Sequence, residues 1–106
     1  MKDNEQGWLW LRLGDRYSRS QQMPEARNCY SKACNFESTA QWGMLSLGEL
    51  YREQKDYNQA REYYHKALQI NQNFICAIAA LEDILLYEQS IEHPYLHDDY
   101  SFLIQY

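Results

Sequence analysis

Apolar and polar positions along this 106-residue chain follow one pattern twice. Trp8, Leu11 and Leu13, then Ala26, Tyr30 and Ala33, return further on at the same spacing as Trp42, Leu45 and Leu47, then Ala60, Tyr64 and Ala67. Within each copy the spacing is helical: Ala26, Tyr30 and Ala33 stand at i, i+4 and i+7, one face of a 3.6-residue period. Between residues 7–40 and 41–74 ten positions are identical, the six pairs above and also Gly14/Gly48, Tyr17/Tyr51, Arg27/Arg61 and Lys32/Lys66. Unrelated segments of that length would share roughly two. A fixed period of this size is the mark of a helix pair stacked on its own copy.

The pattern predicts five helices. The first runs from about Asn4 to Arg19, and Ser18 to Gln22 makes the turn. The second runs from about Pro24 to Asn35, with proline at a first helical position that tolerates it. Ser38 followed by Gln41 has the form of a capping box and starts the third helix near Thr39. Asp56 is placed to cap the fourth, about Tyr57 to Ile70, and Asn71-Gln72-Asn73 breaks it. A fifth is expected from about Phe74 to Gln89, with Ile78 and Leu81 in the register of Met44 and Leu47. Glycine inside a helix costs about 1 kcal/mol against alanine, so Gly14 and Gly48 predict close crossings by the second and fourth helices. The fifth helix has Glu82 at the glycine register, and Pro94 falls where Ala26 and Ala60 stood, so no third partner helix is expected.

Composition narrows the function. The length suits one domain, residues 1–90, followed by an aromatic, acidic tail over 91–106. All ten Lys and Arg lie in residues 1–74, against nine acids, whereas residues 75–106 hold six acids and no base. That balance leaves no basic face for nucleic acid, and no apolar run approaches a membrane span or a signal peptide. Cys29, Cys34 and Cys76 form no ligand-spaced pair and fit reduced thiols in a cytoplasmic setting. His93 and His97 carry metal-binding atoms, but Pro94 between them spoils a converging helical pair, and no cofactor is expected. No phosphate loop or nucleophile elbow is present, which favours binding over catalysis. In the tail Tyr100, Phe102, Ile104 and Tyr106 alternate as in an extended segment with one apolar side, which predicts docking against folded protein, its own or a second copy.

Trp10, Leu13, Gly14, Tyr17, Ala26, Tyr30 and Ala33, and again Met44, Leu47, Gly48, Tyr51, Ala60, Tyr64 and Ala67, follow the pattern W-x2-L-G-x2-Y…A-x3-F…A. The chain thereby resembles the tetratricopeptide-repeat (TPR) family, strongly over residues 7–74 and weakly over 75–90, with Tyr in place of Phe and without the closing Pro. The resemblance implies an all-α fold: tandem helix hairpins in an α–α superhelix, here repeats 7–40 and 41–74 and a C-terminal capping helix over 75–90. It also implies that the first helix of each repeat lines a concave groove. The groove positions would be Trp8, Trp42 and Cys76; Leu11, Leu45 and Ala79; Asp15, Glu49 and Asp83; and Ser18, Arg52 and Leu86. Such a groove suits a short segment of a partner protein with apolar anchors and Lys or Arg, as in an adaptor or chaperone. The Lys, Asn and Arg clamp with which some members hold carboxylate tails is absent. The alternative is a self-associating scaffold unit whose groove and tail are filled by a second copy.

Overall fold

The computed structural model of the chain describes residues 2–92; the expectations for the tail and for His93 and His97 lie outside the described residues. Five helices follow one another: α1 (Lys2–Arg19), α2 (Met23–Ala33), α3 (Ala40–Glu53), α4 (Tyr57–Ile70) and α5 (Ile75–Glu92). The described residues are all-α, and each helix packs on the next.

The turns inside the two hairpins are the same turn. Gln21 and Lys55, at equivalent places in the two copies, both adopt the left-handed conformation at φ 65° and 66°. In the first, the Gln22 and Gln21 amides donate to the Tyr17 and Ser18 carbonyls at 2.8 and 3.1 Å; in the second, Asp56 and Lys55 donate to Tyr51 and Arg52 at 2.9 Å each. This is the Schellman closure, with Gln or Lys where glycine is usual. The helix starts differ. Asp56 caps α4, its carboxylate accepting from the Gln59 amide at 3.3 Å, whereas Gln22 makes no side-chain cap on α2.

The capping box expected of Ser38 and Gln41 does not form. Thr39 is the N-cap of α3 and makes no cap hydrogen bond. Its hydroxyl is fully buried and instead donates to the Ala33 carbonyl at 2.8 Å, tying the end of α2 to the start of α3.

Each core is closed by the helix that follows its hairpin. Leu11, Ala26, Tyr30 and Ala33 pack with Leu47 and Leu50 of α3. Leu45, Ala60, Tyr64 and Ala67 pack with Phe74, Ala77, Ala80 and Ile84 at the second junction. On α5 the buried set is therefore Ala77, Ala80 and Ile84. Ile78, expected in the register of Met44, is open to solvent because no helix among the described residues follows to cover that side.

Gly14 and Gly48 allow the crossings. A Cβ on either would stand 2.6 Å from Cε1 of Tyr30 or Tyr64 respectively, closer than packed carbon atoms come. The two tyrosine rings lie across bare backbone, one in each repeat.

Candidate functional site: the recess between α1 and α3

Helices α1, α3 and α5 are linked by side chains at the groove positions. Trp8 meets Trp42 with ring centroids 6.3 Å apart, and Trp42 meets Phe74 edge to face at 4.8 Å. Arg52 of α3 faces Asp83 of α5 at 3.9 Å. Trp8 remains 44% exposed, so the aromatic row keeps an open end. Its third member is Phe74, not Cys76, which is exposed and outside the row.

The sequence expectation put Leu11 and Leu45 on the groove floor. Both are core side chains, 6% and 8% exposed, because packing of the next helix turns them inward. Ala79 is exposed on α5, Asp83 is exposed opposite Arg52, and Arg52 is half-buried.

Further along the same two helices, a recess of about 210 Å³ opens between α1 and α3. Asp15, Ser18 and Arg19 form one wall, Ser46, Glu49, Leu50 and Glu53 the other, and Tyr30 closes the bottom. The Tyr30 hydroxyl donates to Asp15 Oδ1 at 2.5 Å, which aims the carboxylate. Burial, then that hydrogen bond, then the charges of Asp15, Glu49 and Glu53 hold the phenol far above its usual range. Desolvation pushes the Glu49 carboxyl up as well; Arg52 opposes this, while Glu53 and Asp15 add to it. Three carboxylates against one guanidinium, Arg19, give the recess a negative field. Glu53 and Tyr30 were not among the expected site residues. Glu53 stands one turn after Glu49, a spacing that could have found it, but Tyr30 reads as a core residue until its ring is seen to cross Gly14.

In the second repeat the corresponding tyrosine behaves differently. Tyr64 is fully buried, and its hydroxyl has no hydrogen-bond partner among the described residues. Burial pushes that phenol up to about 12, with Arg52 opposing and Glu49, Asp83 and Glu53 adding to the shift.

No curated protein matches the chain. Residues 43–74 match the family model of the tetratricopeptide repeat, the segment that contains the Gly48–Tyr64 crossing and all of α4. Residues 7–40 carry the same residues in the same register and build the same turn and crossing, so the match over 43–74 supports a tetratricopeptide-repeat assignment for both hairpins.

Proposed function

We propose that this protein holds a short segment of a partner protein along α1 and α3, with an apolar side chain on Trp8 and a Lys or Arg in the recess. The tetratricopeptide repeat is a protein-interaction motif, which supports binding as the function. The observation that carries the reading is the grouping of Asp15, Glu49 and Glu53 around an open recess with an uncharged phenol at its base. A long cationic side chain entering there would replace like-charge repulsion by charge-assisted hydrogen bonds. An adaptor or chaperone acting in the cytoplasm fits this chemistry and the three free thiols. No helix among the described residues is long and apolar enough to cross a membrane.

A peptide array varied at one aromatic and one basic position tests the reading. Binding should require both, should weaken as salt is raised because exposed charges are screened over about 8–10 Å, and should fall in the Glu49→Gln, Glu53→Gln double variant without loss of stability. Equal binding of acidic and basic peptides would overturn it.

A further inference from the structure

The two ends of the helix stack each present an apolar face whose equivalent inside the stack is covered. On α1 the face is Leu9 and Leu13, 59% and 38% exposed. Their counterparts in the second copy are Gly43 and Leu47, both buried against α2 and its neighbours. On α5 the face is Ile78, Leu85 and Leu86, 38%, 55% and 57% exposed. The counterparts of the first two, Met44 and Tyr51, are partly buried against the second core.

Each open face also carries a charge where the interior helix has none. Arg16 of α1 stands in the register of Leu50, which is 3% exposed. Arg12 lies one turn before Arg16, and both are exposed. Glu82 of α5 stands in the register of Gly48, the glycine beneath Tyr64, and is likewise exposed. Among the described residues the ion pairs are Arg52–Asp83 and Arg61–Glu88, so none of these three side chains is in one. One end of the stack is thus leucine with arginine, and the other is isoleucine and leucine with glutamate.

We propose that copies of this chain join head to tail, α1 of one seated on α5 of the next, with Leu9 and Leu13 against Ile78, Leu85 and Leu86 and with Arg12 and Arg16 on Glu82. The charges select the second copy over the chain's own residues 93–106. That segment holds Asp98 and Asp99 and no Lys or Arg, so on α5 it would bring acid to acid. Opposite faces on one molecule make the contact heterologous, and a heterologous contact that does not close into a ring propagates. The interface is small: an 18-residue helix presents a face about 27 Å long and about 10 Å wide. That is well below the ~800 Å² per partner of a standard stable interface, so the association is weak and reversible.

Sedimentation velocity on the full chain, with charge-reversed variants, tests this. The parent should sediment faster as concentration rises toward about 1 mM, and less so at high salt. Arg12→Glu, Arg16→Glu puts acid on the α1 face and Glu82→Lys puts base on the α5 face, so each variant alone meets like charge and should stay monomeric. All three positions are exposed, so the variants keep the parent's helical content and melting curve, which circular dichroism checks. In an equimolar mixture every contact between unlike variants pairs opposite charges, arginine on glutamate or glutamate on lysine. The mixture should therefore associate as the parent does, with the two variants alternating. The chain carrying all three reversals should associate by itself. A parent that stays monomeric, as it would with α5 covered by residues 93–106, overturns the proposal. So does association that survives either reversal alone, or a mixture that stays monomeric.

Discussion

The two repeats use one crossing and finish it differently. In the first, the tyrosine hydroxyl over glycine meets Asp15 at 2.5 Å; in the second, the hydroxyl of Tyr64 is buried without a partner among the described residues, although Glu49 holds the position equivalent to Asp15. The second has a helix cap on Asp56 that the first lacks at Gln22. Each repeat therefore contains the solution to the other's defect. The apolar frame, made by the glycine, the ring and the alanines, reproduces itself from one copy to the next, whereas the polar details around it do not. Rings and glycines are constrained by volume from all sides, and a hydroxyl is constrained by one atom within about 3 Å.

The frame should be where substitution hurts most. Gly48→Leu and Gly14→Leu each drive a Cβ to within 2.6 Å of a tyrosine ring, and each should cost about 3 kcal/mol in urea unfolding. The loss should be greater at Gly48, whose tyrosine is 0% exposed against 4% for Tyr30. A Gly48→Leu melt equal to the parent's would break the equivalence of the crossings.

Removing the two hydroxyls should separate the repeats. Tyr30→Phe loses a hydrogen bond to a carboxylate and should destabilise by about 1.5 kcal/mol. Tyr64→Phe removes an unpaired buried group and should be neutral or stabilising by about 1 kcal/mol. Equal losses at both sites would mean that Tyr64 has a partner after all. The caps form the converse pair: Gln22→Asp should gain about 1 kcal/mol, and Asp56→Ala should lose as much.

Gln21→Gly and Lys55→Gly should gain about 0.5–1 kcal/mol each, since both residues occupy a left-handed conformation that favours glycine. Their turns match bond for bond, so the two gains should agree in thermal melts. A gain at one position only would show that the turns differ in solution.

The smallest effect is electrostatic. The folded state raises the Glu49 carboxyl above its usual value of 4.5. Its contribution to stability is then full below the unfolded value and is lost as pH rises through the folded one. Glu49→Gln should remove that loss and gain a few tenths of a kcal/mol at pH 7, little because the residue is open to solvent. The difference between variant and parent should vanish below about pH 4.

Much of the fold was legible in the residues. Tryptophan, glycine and alanine in a repeated register named the hairpins, and the breaks expected at Ser18–Gln22 and Asn71–Asn73 bounded them, although α1 continues through Ser18 to Arg19. The site was less legible. Trp8 and Trp42 do meet across α1 and α3. Leu11 and Leu45, expected in the same groove, face inward, because a helix turn between two neighbours has no purely concave side. Ser38 and Gln41 had the letters of a cap, but the buried Thr39 hydroxyl took the start of α3 for a bond to α2.

By itself the sequence determined what depends on neighbours along the chain: helix lengths, the register of the two copies, the turns, and the glycines that admit a ring. It also carried the separation of charge that leaves arginine on α1 and glutamate on α5. Only the tertiary structure decided which polar atoms meet. Asp15 reaches the Tyr30 hydroxyl and Glu49 does not relieve that of Tyr64, though both pairs stand at the same spacing. A period fixes the face of a helix to within a residue, and packing tolerates that latitude. A hydrogen bond tolerates only tenths of an ångström, set by how several helices settle together.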